Sequence, residues 1–178
     1  MSENNSDLDN RLKVYECTKM EYIEHIKIRN GCLVAYLGII GVISSGVLSA
    51  QQPNPKILLS FPYLSLGIAF IIGQHIMAIS SISRFCANEL FQEQPPLWES
   101  SESLHEFSNI AINLTFWGHL ITLILPAVVS IVFNWSLWNG NRLFHGLMVL
   151  NITVTLMTII IVVYASDWRK KPLRIDTT

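Results

Sequence analysis

The chain has 178 residues, of which 51% are hydrophobic and only 14% are charged, and its formal net charge is −1. A soluble domain is usually about a quarter charged, so this composition argues against a soluble protein and favours one that lies largely in lipid. The small net charge argues against nucleic acid as a direct partner, because duplex binding requires a basic face.

The first segment, residues 1–30, is polar and carries apolar residues at helical spacing, for example Leu8, Leu12 and Tyr15. The pattern predicts an N-terminal amphipathic helix on the cytoplasmic side of a membrane. We expect this helix to lead straight into the first membrane span, so that one helix projects below the membrane.

Four long apolar runs follow, each about as long as the 20 or so residues that cross a bilayer. The predicted spans are residues 31–50, 57–80, 110–133 and 143–165. Pro53 and Pro55 end the first helix in a short turn. We therefore predict an all-α fold, a four-transmembrane-helix bundle (residues 31–165) with helical cytoplasmic extensions, an acidic loop at residues 84–109 and a basic tail at residues 166–178.

The distribution of Lys and Arg predicts the orientation of the bundle. Ten of these 12 residues lie in the N-terminal segment, the middle loop and the tail, whereas the two other loops contain only Lys56 and Arg142. Cytoplasmic loops carry the excess of positive charge, so both termini are expected in the cytoplasm. The middle loop is a candidate docking surface for a cytoplasmic protein through five glutamates: Glu89, Glu93, Glu99, Glu102 and Glu106.

Small residues recur four apart in the first two spans. The first span has Gly41, Ser45 and Ser49, and the second has Ser65, Ala69 and Gly73. Such stripes let the backbones of membrane helices approach closely. Since a short turn joins the two spans, we predict an antiparallel hairpin that packs through both stripes.

Four polar side chains interrupt the apolar spans, and the sequence leaves several roles open for them: Gln74, His75, His119 and Asn151. They could form interhelical hydrogen bonds, line a pore between oligomer subunits or relay protons. A fourth alternative is haem ligation by His75 and His119. Their predicted depths differ by about four residues of helical rise, which strains that alternative.

Catalytic motifs are missing from the sequence, which contains no H-E-x-x-H, no G-x-S-x-G and no phosphate-binding glycine loop. The stretch "EYIEH", Glu21 to His25, superficially looks like a carboxylate metal site. Its spacing is wrong for a di-iron bundle, and no second copy exists, so we interpret it as a solvated helix face. We expect no enzymatic activity, no cofactor and no metal.

The quoted pieces "FPYLSLGIAFIIGQHIMAISSISRFC" and "SDWRKKPLRIDTT", together with the four spans and the acidic middle loop, suggest a family. The layout resembles the small four-pass membrane proteins of bacterial anti-phage operons, in particular the membrane subunit of the Kiwa system. The resemblance implies a homo-oligomer in the bacterial inner membrane that responds to phage attack, with a cytoplasmic partner that acts on nucleic acid.

On this basis the sequence predicts a non-enzymatic membrane sensor or effector subunit that forms homo-oligomers and docks a cytoplasmic protein. Two alternatives remain at this point. One is a small b-type haem protein for electron transfer, and the other is a pore that permeabilises the membrane.

Overall fold

A computed structural model describes residues 3–86, 102–136 and 142–170, with side chains for residues 9–86, 110–136 and 142–167. Within these ranges the chain forms four long helices and no strand: α1 (Glu3–Ser49), α2 (Phe61–Phe85), α3 (Glu102–Phe133) and α4 (Arg142–Lys170). A short 3₁₀ helix, Pro55–Ser60, lies between α1 and α2. The predicted all-α, four-helix class is confirmed.

Helix α1 runs without a break through the boundary that the sequence suggests near residue 30. Its 47 residues span about 70 Å, roughly twice the apolar thickness of a bilayer. The expectation that the N-terminal helix leads directly into the first span is therefore confirmed. Its amphipathic character stays a prediction, since residues 9–14 are exposed on every face.

The turn between α1 and α2 is built from prolines and an asparagine. The side chain of Asn54 accepts a hydrogen bond from the backbone N–H of Lys56 at 3.3 Å, which caps the 3₁₀ helix that begins at Pro55. Pro62 lies in the first turn of α2, where its missing N–H costs nothing. This local chemistry ends one long helix and starts the next within a few residues.

Four helical segments are long and apolar enough to cross a membrane: Asp9–Ser49, Pro55–Phe85, Ile110–Phe133 and Arg142–Asp167. Their most apolar 18-residue windows have mean hydropathies between 1.8 and 2.4. Each predicted span lies essentially within one of these segments. Length and composition thus indicate a multi-pass membrane protein.

The bundle is organised around α2, which packs most extensively against α4 and also contacts α1 and α3. The main core cluster draws on all four helices: Tyr36, Ala69, Ile72, Ile76, Leu123, Val162 and Ala165. Helix α1 is peripheral, because only 11% of its most apolar window is buried, against 28–39% in the other three segments.

The two stripes of small residues differ in how deeply they are buried. Ser65, Ala69 and Gly73 of α2 are buried, and they form a shallow surface that receives larger side chains. On α1 the three stripe residues are exposed, and a Cβ added at Gly41 would meet nothing within 4 Å.

The predicted contact between the two stripes is therefore wrong. Helix α1 instead turns Tyr36, Ile40 and Val47 toward the core. The physical reason is that these larger side chains bury more apolar surface against the groove of α2 than glycine and serine would, and they also make more dispersion contacts there. Gly41, Ser45 and Ser49 are left on the outer face of the bundle.

The α2–α4 contact yields a test at Gly73. A Cβ at this position would lie 3.5 Å from Ile161 Cγ2 and 3.6 Å from Ala165 Cβ, which is ordinary contact distance. We therefore expect Gly73→Ala to be tolerated, whereas Gly73→Leu forces extra atoms into α4 and destabilises the fold by about 1–3 kcal/mol. Unfolding in detergent micelles measures the difference.

The matched control is Gly67→Leu on the same helix, because Gly67 is exposed and an added Cβ meets nothing within 4 Å. The Gly67→Leu variant should have the same free energy of unfolding as the wild type. Equal stability of Gly73→Leu and Gly67→Leu would contradict the described α2–α4 contact.

Candidate functional site

Two polar contacts set the register of the α1–α2 hairpin. Tyr36 Oη lies 2.7 Å from Ser65 Oγ, and His25 Nδ1 lies 2.8 Å from His75 Nδ1. Eleven residues separate the two sites on α1 and ten on α2, which corresponds to about 16 Å and 15 Å of helical rise. The helices are therefore antiparallel and matched in length between the two contacts.

The Tyr36–Ser65 contact is the more deeply buried of the two, since these residues are 1% and 0% exposed. A hydroxyl in an apolar layer costs free energy unless it finds a partner. Each of these hydroxyls satisfies the other across the helix interface, and the pair joins the core cluster around Ala69 and Ile72. This is an interhelical hydrogen bond of a kind that stabilises membrane bundles.

The second contact joins two half-buried imidazoles, His25 and His75, which we call the histidine pair. The ring centroids lie 5.1 Å apart, and the ring planes are tilted by 54°. Oε1 of Glu21 lies 3.8 Å from Nε2 of His25, and the positive charge of Arg29 lies within electrostatic reach of His75. A titratable cluster thus bridges two helices.

The histidine pair shows how α1 and α2 are offset. The sequence places His75 inside the second span and His25 outside the first, yet the two rings are in contact. Counting from Tyr36–Ser65 places Gly31 level with about residue 70, so His75 lies roughly 7 Å beyond the start of the first predicted span. The two predicted spans therefore end at different levels on this side of the bundle, and the depth of His75 in a bilayer stays a prediction.

The other polar residues of the spans have separate surroundings. Gln74 is exposed on the outer face of α2. Asn151 is 1% exposed, and its Nδ2 donates to the Leu147 carbonyl within its own helix at 2.8 Å. Oδ1 of Asn151 is buried and accepts no hydrogen bond from the described residues. The four residues predicted to be intramembrane and polar do not converge on one site.

His119 lies in a narrow cleft between α2, α3 and α4. The side chains that line it are Ile76, Ile112, Thr115, Phe116, His119, Val162 and Ser166. Ile76 of α2 lines the same cleft. The predicted offset of about four residues of rise between His75 and His119 stays a prediction. The cleft has a free volume of about 10 Å³, the space of one water molecule.

The geometry does not assemble the predicted haem ligand pair. Nδ1 of His75 contacts His25 on the α1 side of α2, while His119 faces the cleft on the other side of Ile76. A porphyrin does not fit a space of this size. Among the described side chains, no group of three or more His, Cys, Asp or Glu residues is gathered at metal-binding distance.

At the opposite end of the bundle, an asparagine at the end of α3 links that helix to the α1–α2 turn. Nδ2 of Asn134, which is 1% exposed, donates to the Pro55 carbonyl at 2.8 Å and to the Ser130 carbonyl at 2.9 Å. Lys56 Nζ lies 4.6 Å from the centroid of the Phe144 ring. These contacts hold the α1–α2 turn against α3 and α4.

Only two of the five glutamates of the predicted acidic docking surface lie in the part of the chain that the structure describes. Glu89, Glu93 and Glu99 lie outside the described residues, and Glu102 and Glu106 lie on α3 where side chains are not described. Docking through these residues stays a prediction.

Sequence reasoning missed two residues of the α1–α2 interface. His25 looks like part of a solvated helix face, and Tyr36 does not stand out in its apolar run. A signal for Tyr36 was present, because a tyrosine hydroxyl within an apolar span requires a partner. His25 could be found only by counting the register of both helices, and the short 3₁₀ helix makes that count uncertain by several ångströms.

Comparisons with protein-family models, with curated proteins and with solved structures gave no match for this chain.

The buried hydroxyl pair predicts a measurable coupling. Tyr36→Phe and Ser65→Ala each remove one partner of the same hydrogen bond, so the effect of the double variant should be smaller than the sum of the single effects. The expected coupling is about 0.6–1.7 kcal/mol in membrane surroundings. A double-mutant cycle on unfolding in micelles or bicelles measures it.

Ser45→Ala provides the control, because Ser45 is exposed on α1 and should not couple to Ser65→Ala. Additivity of Tyr36→Phe and Ser65→Ala within about 0.3 kcal/mol would show that the bond contributes nothing to stability.

Proposed function

We propose that the chain is a non-enzymatic, multi-pass membrane subunit that transmits a change in the bilayer to a cytoplasmic protein through α1. It self-associates in the membrane, and both of its termini face the cytoplasm. The observation that carries the proposal is the unbroken 47-residue length of α1, which joins a membrane-crossing half to a half that projects beyond the apolar layer.

An unbroken helix can transmit a movement from one of its ends to the other. A helix without an internal break moves as one body, so a shift of its membrane half is felt at its far end. Helix α1 is anchored mainly on α2 and the adjoining 3₁₀ helix, and its membrane half is largely unburied. A peripheral helix of this kind can shift without disrupting the packing of α2 with α4.

The projecting half of α1 offers a surface for a protein partner. Met20 and Ile23 are 64% and 47% exposed outside the first predicted span. On another face, Lys19 Nζ lies 5.5 Å from the ring centroids of both Tyr15 and Tyr22. These cation–π contacts restrain the three side chains. Exposed apolar groups beside charged ones are typical of a protein interface.

Self-association is supported by the outer face of α1. Gly41, Ser45 and Ser49 are exposed there, and Gly38 is also open, with nothing within 4 Å of an added Cβ. Small side chains contribute little against lipid but permit close contact with another helix. A second copy of the chain is the proposed neighbour.

Orientation and cellular setting are also part of the proposal. Lys27 and Arg29 lie at the end of the bundle where α1 begins and α4 ends, in keeping with the positive-inside rule. The resemblance in layout to four-pass proteins of anti-phage operons supports a bacterial inner membrane and a defence role. The haem alternative has no geometric support in the arrangement of His75 and His119.

Partner docking is tested by neutralising the acidic middle segment. Isosteric Glu→Gln replacement at Glu89, Glu93, Glu99, Glu102 and Glu106 removes five charges without changing side-chain size. If this segment docks a basic surface, recovery of the co-purifying cytoplasmic protein should fall about tenfold or more, since even exposed ion pairs contribute about 0.2–1 kcal/mol each. Quantitative pull-down from solubilised membranes is the measurement.

The control replaces Asp167, which is exposed near the end of α4, by Asn. This variant should retain its partner, provided both variants insert equally well. If neutralisation of all five glutamates, or deletion of residues 88–106, leaves every co-purifying protein at wild-type levels, docking through the middle segment is wrong.

Self-association is tested on the outer face of α1. Gly41→Leu and Ser45→Leu add bulk where the isolated bundle has open space, so the fold should be unaffected while close helix contact is blocked. Chemical crosslinking in native membranes should show a severalfold loss of oligomer. The comparison variant is Gly67→Leu on α2, which is equally open but lies on another helix. Unchanged crosslinking in all three variants would contradict association through α1.

A further inference from the structure

We propose that the histidine pair is a proton-operated latch that holds the projecting half of α1 against α2 at neutral pH and releases it on acidification. The proposal rests on the contact of His25 Nδ1 with His75 Nδ1 at 2.8 Å and on the position of that contact between two helices. It does not depend on partner docking or self-association, because it concerns a contact within one chain.

Proton counting shows why such a contact responds to pH. A nitrogen–nitrogen hydrogen bond requires one Nδ1 that carries a proton and one that does not. Neutral imidazoles provide this arrangement, and so does a pair that holds one extra proton. When both rings are protonated, both Nδ1 atoms carry hydrogen, so the bond is lost and two like charges face each other.

The charges around the pair oppose its double protonation. Glu21 Oε1 lies 3.8 Å from His25 Nε2, beyond hydrogen-bond distance, and the charge of Arg29 acts on His75. With one extra proton on the pair, the hydrogen bond becomes charge-assisted. A second proton must enter beside that charge and the charge of Arg29.

The surroundings contain other groups that titrate or carry charge. The described ones near this level are Glu21, Glu24, Lys27 and Arg29 on α1 and Tyr164 and Asp167 on α4, with His119 of α3 in the adjoining cleft. Glu24, Lys27, Tyr164 and Asp167 are exposed. Among the described carboxylates, Glu21 is the one that contacts the pair, on the His25 side.

Release of the pair has a mechanical consequence for α1. The next hydrogen bond between α1 and α2 among the described side chains is Tyr36–Ser65, about 16 Å further along α1. Opening the histidine pair leaves that contact in place and removes the hydrogen bond that joins the helix below it to α2. Since imidazole is the side chain that ordinarily changes charge between about pH 5 and pH 8, the switch works in a range that a cell can reach.

The direct test is an NMR measurement on the wild-type chain in lipid nanodiscs, labelled with ¹⁵N at histidine. At about pH 7.5 one Nδ1–Nδ1 pair should show coupling through the hydrogen bond, and its intensity should fall progressively as the pH is lowered to about 4. His75→Gln should abolish the signal, whereas His145→Gln, at the opposite end of α4, should not. Absence of the coupling at neutral pH, or its undiminished persistence at about pH 4, overturns the proposal.

A distance measurement tests the release of α1. Spin labels at Cys17 and at Ser81→Cys, with Cys32→Ala and Cys86→Ala, report the separation of α1 and α2 outside the core. On acidification the distance should increase by more than the width of the neutral-pH distribution. In the same background, His75→Gln should keep one distance at both pH values, because an amide donates and accepts without titrating. An equal change with and without His75→Gln means that the histidine pair is not the latch.

Discussion

The architecture depends on the need of polar groups to find partners within apolar surroundings. The hydroxyls of Tyr36 and Ser65 meet at a level where neither is accessible to solvent, and their bond fixes how far α1 lies along α2. A slip of one residue would separate both hydroxyls and would also displace Val47 from Leu58 and Phe61. The histidine pair and the position of the turn follow from the same register.

Helix α1 has a different role in the bundle from the other three helices. Helices α2, α3 and α4 share a core in which Gly73 permits close approach to Ala165. Helix α1 contributes Tyr36, Ile40 and Val47 to one side of that core and presents its other faces outward. The same sequence therefore encodes a tightly packed three-helix unit and an attached helix that is free to interact elsewhere.

The helices, their number and the approximate spans could be predicted from hydropathy and proline positions alone, because these properties are local. The pairing of residues between helices could not be predicted equally well. The sequence treats each span by itself, whereas the contact of His75 with His25 depends on the offset between two helices and on the 3₁₀ helix that joins them. The small-residue pattern likewise shows where close approach is permitted, as at Gly73 and Gly41, but does not identify the neighbour.

The absence of a break near residue 30 makes α1 a lever arm. From His25 to Glu3 the helix extends about 33 Å. A tilt of about 10° about the histidine pair would therefore sweep its first residues through roughly 6 Å, a displacement comparable to one turn of helix. A tilt of the membrane half would thereby be carried to the point where the helix begins.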